Sequence, residues 1–410
     1  MSDFDVIVVG GGPSGTSAAI HLAVAGARVL LAEQKKFPRE KLCGEFISPE
    51  CLEHFARLGV LERMARAGGA EVSETIFYAP SGRGVAVPSA WFGGGSRAAL
   101  GLSRAEMDER LLARAREVGV HVLEDAVLAG VLLEGGRVCG VRLHTSGEGE
   151  REYRALVSID ATGRQRTLAR RAGRDAEGTG GGNAGRVEGS RERASLVAFK
   201  AHLEDTRGAA RTCEIYFYSG GYGGLSPVEG GVSNLCFIAR ARDVRRCASD
   251  AERVVREVLM RNRRAAHTLA HARARTRWLG VAIESFGRHD PAPAEGLLAV
   301  GDAAAFIDPF TGSGMLMALE SGELAARAVS GWLRAAPGVR AAFQTLARDY
   351  RTSYGERFDA RLRVCGILRR AAFAPPQLAE LAVLTLGASE RVRRRLARAT
   401  RRSRLASPHG

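Results

Sequence analysis

Near the start of the chain, apolar positions come in unbroken runs rather than at helical spacing. Phe4-Asp5-Val6-Ile7-Val8-Val9 is short and β-branched with no 3.6-residue period, the pattern of a strand buried on both faces of a parallel sheet. It runs into Gly10-Gly11-Gly12-Pro13-Ser14-Gly15. The period then changes: Ala18, Ala19, Leu22 and Ala23 give a small-residue face to a helix predicted from about Ser14 to Ala25, with Gly26 as its C-terminal cap. A second apolar run, Arg28 to Ala32, delivers Glu33. The order is strand, glycine turn, helix, strand.

Further along, short alternating segments replace these runs. Strands are predicted at Val120 to Leu123, Ala126 to Leu133, Arg137 to Leu143 and Ala155 to Ile159, the middle pair joined by the turn signal Glu134-Gly135-Gly136. Residues from Glu74 to Pro88 and from Ser195 to Ala241 read as an antiparallel sheet, with Gly220 to Pro227 as a glycine-rich bend carrying Tyr222. A last apolar strand, Leu297 to Val300, ends in Gly301-Asp302, and a second glycine turn at Gly312-Ser313-Gly314 opens a helix to about Trp332. The fold class read from this order is α/β: a Rossmann-like dinucleotide domain (1–72, 99–170, 290–335), an interleaved antiparallel β-sheet domain (73–98, 195–289) and C-terminal helices with a basic tail (336–410). Residues 171–194, rich in glycine and charge, are expected to be a surface loop.

The chemistry follows from spacing. Gly10, Gly12 and Gly15 fit G-x-G-x-x-G: tight turn, backbone approach to a pyrophosphate, and close helix packing. Glu33 lies about 20 residues on, where a carboxylate accepts from ribose hydroxyls. Asp160-Ala-Thr-Gly163 follows a strand as a second phosphate-side loop, and Arg104 opens a helix from which it can reach phosphate or a flavin edge. Asp302 can take a ribitol hydroxyl. Free N–H groups from Gly312 to Met315 would stabilise the negative charge that a flavin gains on reduction. Cys43-Gly44 sits in a loop at the carboxyl edge of the sheet, where ligands bind.

Composition narrows the classes. A chain of 410 residues with 45% hydrophobic content can bury a large core. Its seven cysteines form no CxxC pair, so a reduced, cytoplasmic setting is expected, and no metal site is read from the sequence. The chain opens almost directly on a strand, so no signal peptide is expected, and it has no apolar run of ~18 residues. The net charge of +15 is nearly all arginine, since Lys35, Lys36, Lys41 and Lys200 are the only lysines. Arg391, Arg393, Arg394, Arg395, Arg398, Arg401, Arg402 and Arg404 crowd the C-terminus, as a solvated tail or as a contact for an anionic membrane surface or acidic carrier protein. Nucleic acid is not expected, because no recognition motif accompanies the charge.

Together the glycine fingerprint with Glu33, the Asp160-Ala-Thr-Gly163 loop and the Gly301-Asp302…Pro309…Gly312-Ser-Gly314 run resemble the FAD-dependent oxidoreductases related to p-hydroxybenzoate hydroxylase and geranylgeranyl reductase. The resemblance covers most of the chain to about Ser330. It implies FAD held by one glutathione-reductase-type domain under a β-sheet roof, with NADPH or NADH as electron donor and an apolar small molecule as substrate. Implied FAD contacts are Gly10, Gly12, Pro13, Ser14, Gly15, Glu33, Gln34, Cys43, Gly44, Arg104, Val127, Asp160, Gly163, Gly301, Asp302, Gly312, Ser313 and Gly314, with Cys43, Tyr222 and Pro309 toward the reacting side. Monooxygenation by a flavin C4a-hydroperoxide ranks first, because it demands least of side chains. Alkene reduction comes next, since Arg39…Lys41-Leu-Cys43-Gly44 is similar to the cysteine loop of geranylgeranyl reductases, although their Tyr-x-Trp-x-Phe-Pro is here Tyr222-Gly-Gly-Leu-Ser-Pro227. Halogenation or simple electron transfer ranks third, as no lysine stands between Lys41 and Lys200.

Overall fold

The computed structural model describes residues 2–93, 98–178, 195–283, 286–335, 342–373 and 375–401. Its first sheet has seven strands. Phe4–Val9 lies between Val29–Ala32 and the end of Gly149–Asp160, both parallel to it, with Val6 opposite Val29 and Val157. His121–Leu123 and Leu297–Ala299 extend the parallel part at its two sides. The unbroken apolar runs are explained by two cores. Val6, Val8, Val29 and Leu31 face the glycine-turn helix, whereas Ile7, Val9 and Leu30 face the meander Ala126–Glu134, Arg137–Thr145 and Gly149–Asp160. Gly135 and Gly136, both with positive φ, make the two-residue turn of that meander.

The second sheet has eight strands and roofs the first domain. It is antiparallel except where Thr212–Tyr218 runs parallel to Glu74–Tyr78. Alternation sorts its two faces: Phe199 and Phe237 pack under the helices of 241–268, while Ala198 and Ile238 face the first domain. Two expectations change here. Gly221–Pro227 is a strand inside the sheet and not a bend, because the glycines make room for its neighbours: a Cβ on Gly223 would lie 2.9 Å from Phe237. Residues 171–178 belong to the helix Thr167–Gly178 rather than to a loop, anchored by Leu168, Ala169 and Ala172 on the second core; 179–194 lie outside the described residues.

Helix Gly314–Leu333 packs along the glycine-turn helix Pro13–Val24, joined by Ser17 Oγ donating to Leu319 O at 2.8 Å. Against it lies the long helix Phe343–Ala372, whose Tyr350 hydroxyl donates to Ala299 O at 3.0 Å. No single helix among the described residues is long and apolar enough to cross a membrane. All seven cysteines are free.

Helix Pro49–Leu58 is held to Gly314–Leu333 by charge. Burial pushes the Glu323 carboxyl up, but hydrogen bonds from His54 and Arg57 outweigh it and hold the group at about 2, against an ordinary 4.5. The sign follows: this pairing stabilises the fold fully above about pH 4.5 and is lost as pH falls through 2. Glu323→Gln should therefore cost about 2 kcal/mol at pH 7, allowing for partial solvent exposure, in urea unfolding. The gap to the parent protein should close on acidification; a pH-independent gap would show that packing, not charge, is lost.

Candidate functional site

The glycine turn sits at the carboxyl end of the parallel strands. A Cβ on Gly15 would lie 1.9 Å from Gly10 O, and one on Gly10 2.2 Å from Ala161 O, so these two glycines are required by the packing itself. Gly12 differs. Its nearest neighbours would be the guanidinium nitrogens of Arg104 and Arg39, at 3.8 and 3.9 Å, across open space. The helix that starts at Pro13 turns its free N–H groups toward the same space. Ser14 is buried against Gly301, whose own N–H donates to Ser321 Oγ at 2.8 Å.

Charged groups line this crevice. Glu33 accepts from Gly11 N at 2.8 Å and Lys35 N at 3.1 Å, next to Arg39 at 3.5 Å; Gln34 beside it is exposed. Arg104 is gripped by Asp108 through two bonds of 2.9 and 2.7 Å. Burial disfavours its charge, and Asp108 more than restores it, leaving the pKa raised. Arg39 reaches Asp108 at 3.2 Å but leaves its buried Nε and Nη1 without a hydrogen bond. Burial in the crevice, with Arg104 and Arg39 close by, pulls Lys41 below its usual range. Burial raises the Asp302 carboxyl against the pull of Lys41, Arg104 and Arg164, and no described residue hydrogen-bonds it. The Arg104 and Arg39 guanidiniums facing an open glycine, and a carboxylate without a hydrogen bond, fit the phosphates and hydroxyls of FAD. Bound there, FAD would be held by the Gly12 turn, Arg39, Arg104, Glu33 and Asp302, and would supply hydride or oxygen chemistry.

Three further predicted contacts border the glycine turn and the Glu33 loop. Asp160 is fully buried and spends its carboxylate on Thr162 N, Thr162 Oγ1 and Ala169 N, all within 2.9 Å, so it builds its own turn. Gly163 takes a positive φ in that turn, facing open space. The Val127 side chain is exposed on a strand beside the Glu33 loop, tied to it by Ala126 N donating to Glu33 O at 2.9 Å.

Cys43 and Gly44 lie where this crevice meets the roof. Cys43 O accepts from Asn234 Nδ2 at 2.9 Å, its sulfur accepts from Glu45 N at 3.5 Å, and Arg104 also interacts with the sulfur. Glu45, fully buried with φ of 55°, bonds Lys200 Nζ at 2.6 Å, His202 Nε2 at 2.6 Å and Arg104 N at 2.9 Å. Burial pushes its carboxyl up, but His202 and Lys200 win and hold it low. Glu40, Glu45 and His202 have ligand-type atoms within 4.8 Å, yet the Lys200 ammonium already bridges both carboxylates. This buried cluster clamps the cysteine loop to the roof.

Above the loop lies an apolar cage of Leu42, Phe217, Tyr222, Phe306, Phe310 and Phe373. Tyr222 meets Phe310 edge-on at 5.2 Å, and its hydroxyl donates to Asp308 Oδ1. Burial pushes both the tyrosine and the aspartic acid above their usual ranges. Pro309 begins the short turn after Asp308. The next turn, Gly312 to Gly314, is braced by Arg401, which the sequence places in a basic tail, either solvated or facing an anionic surface. Arg401 is buried, donates to Thr311 O at 3.0 Å and Gly312 O at 3.4 Å, and lies 4.6 Å over Phe92. Its own carbonyl accepts from the buried Arg361 at 3.0 Å, and Ser313 Oγ donates to Thr400 O at 3.4 Å. Arg402 and Arg404 lie outside the described residues. Arg401→Met keeps the bulk and removes the donors; about tenfold weaker FAD binding is expected, by flavin fluorescence titration, because charged hydrogen bonds contribute ~1.5–3 kcal/mol. Unchanged affinity in a folded variant would show that the turn needs no brace.

A nucleotide crevice at a parallel sheet edge, under a β-sheet roof, is the arrangement of a flavin-binding oxidoreductase fold. Residues 3–336 match the FAD binding domain family. The chain belongs to that family of FAD-dependent oxidoreductases, within the superfamily of p-hydroxybenzoate hydroxylase-type monooxygenases and geranylgeranyl reductases. It is 30% identical over 333 residues to digeranylgeranylglycerophospholipid reductase 2 of Methanopyrus kandleri, covering 79% of this chain and 76% of that one. It is 30% identical to menaquinone reductase of Mycolicibacterium smegmatis, over 78% and 75% of the two chains. Among solved structures, a geranylgeranyl bacteriochlorophyll reductase-like protein of Thermoplasma acidophilum superposes with a TM-score of 0.74 at 22% identity, covering 94% and 92%. A flavin-dependent brominase variant superposes at 0.77 and 20% identity, covering 97% and 95%; both show the fold.

Proposed function

We propose that this FAD-dependent oxidoreductase reduces a carbon–carbon double bond in an apolar, prenyl-type substrate, with NADPH or NADH recharging the flavin. The observation that carries the reading is the Cys43 loop: its backbone carbonyl is held by Asn234, its sulfur lies beside Arg104, and the adjoining Leu42 packs in the aromatic cluster. Reduction needs a hydride and a proton on neighbouring carbons, and reduced FAD supplies the hydride. The thiol can give the proton, and Arg104 offsets the negative charge then left on sulfur. The cage excludes water and holds an alkyl chain by apolar contact. Both relatives described above are named as reductases, one of digeranylgeranylglycerophospholipid and one of menaquinone, which supports this reading over the hydroxylation that ranked first on sequence.

The departure from Tyr-x-Trp-x-Phe-Pro has a physical counterpart. Gly224 and Ser226 stand where the motif has Trp and Phe, and a Cβ on Gly224 would lie 3.0 Å from Ile215 Cδ1. Aromatic surface comes instead from Phe217, Phe310 and Phe373 on three other elements. The substrate can thus be prenyl-like without fitting the same slot. The test is anaerobic turnover of chemically reduced holoprotein with menaquinone and with a geranylgeranyl lipid, read by mass spectrometry. Addition of two hydrogens without oxygen supports reduction. Product that forms only in air and carries one added oxygen overturns it.

A further inference from the structure

We propose that the helices between residues 367 and 398 form a face that docks on an anionic lipid bilayer. Of the nine large hydrophobic side chains exposed among the described residues, six lie in this stretch: Ile367, Leu378, Leu381, Leu384, Val392 and Leu396. Leu378, Leu381 and Leu384 step by three along helix Pro376–Ala388 and make one ridge. The opposite side of that helix, Val383 and Leu386, packs on Ala79 and Val85. The helix is apolar toward the protein and toward solvent alike, and a helix apolar all round calls for a second apolar surface.

Charge selects the occupant. In helix Glu390–Ala399 the exposed Arg391, Arg395 and Arg398 form a row beside Val392 and Leu396. From 367 to 398, seven arginines stand against two acids, and one of these, Glu380, is bonded to Ser81. A second copy of this chain, meeting the same patch in a twofold dimer, would set these arginines against themselves. An anionic headgroup layer offers opposite charge, and its acyl region takes the leucines. The face is also continuous with the cage: helix Pro376–Ala388 starts just beyond Phe373, whose ring meets Tyr222 edge-on at 5.9 Å. Docking by this face does not depend on which reaction the protein performs.

The test is co-sedimentation of full-length holoprotein with vesicles of phosphatidylglycerol and phosphatidylcholine in equal parts, and with phosphatidylcholine alone. Binding to the anionic vesicles is expected to weaken with salt and to exceed binding to neutral vesicles by ~10-fold or more. Leu378→Glu with Leu381→Glu should lower it by a similar ~10-fold, with FAD content and thermal unfolding unchanged. Should that variant misfold, Arg391→Gln with Arg395→Gln and Arg398→Gln, at exposed positions, decides the same point. Absent or charge-independent binding, or variants that bind like the parent, overturn the proposal. So does a dimer in sedimentation velocity that the leucine variant splits, which would assign the face to a second copy.

Discussion

Gly12→Val should yield a protein that folds, melts near the parent temperature and carries no FAD. Gly12 has φ of −76° and ψ of −178°, a conformation open to any residue, and its Cβ would meet nothing closer than 3.8 Å. The added side chain fills only the space between the turn and the two guanidiniums, where the pyrophosphate must approach backbone. Loss of that approach and of the helix N-terminal N–H groups should weaken FAD at least ~100-fold, about 2.8 kcal/mol. Gly15→Ala is the contrasting case: its Cβ, 1.9 Å from Gly10 O, should prevent folding altogether. Thermal unfolding and flavin content measured on both variants separate the two roles of one glycine motif. Gly12→Val protein that purifies yellow with one FAD per chain would refute the crevice assignment.

The same motif shows what could be read from sequence. Strand, turn, helix and Glu33 were legible because the contacts that require them are local: Gly10 with Gly15, and Glu33 with Gly11. Contacts made over long separations were not. Glu45 meets Lys200 and His202 more than 150 residues away, Asp308 meets Tyr222 across 86, and Arg401 reaches Gly312 from the far end of the chain. Nothing in the composition of those segments marks them. Glu45 did carry one weak signal, a carboxylate directly after Cys43-Gly44 in a ligand-side loop. The strand Gly221–Pro227 was misread because its glycines answer to Phe237 and Ile238 on the neighbouring strand, which local turn chemistry cannot reveal. The helix at Thr167–Gly178 was legible in principle, since Leu168, Ala169 and Ala172 keep helical spacing; arginine and glycine around them obscured it.

Cys43→Ser should retain FAD and lose alkene reduction by ~100-fold or more, the range a positioned general acid contributes. Serine keeps the size and a polar hydrogen, and the short bonds that place the loop do not involve the thiol: Cys43 O to Asn234, and the Glu45 carboxylate to Lys200, His202 and Arg104 N. The loop therefore stays in place while the acid changes. Chemical reduction of the flavin should be unaffected, whereas reoxidation by substrate under nitrogen should slow. Tyr222→Phe supplies the counter-test, because the Tyr222 hydroxyl, which donates to Asp308, is a second buried proton donor beside the aromatic cluster. If Cys43→Ser turns over near normally and Tyr222→Phe does not, the proton comes from the tyrosine side and the thiol is only pocket wall. If both variants turn over normally in air and incorporate oxygen, no protein acid is needed and the chemistry is hydroxylation.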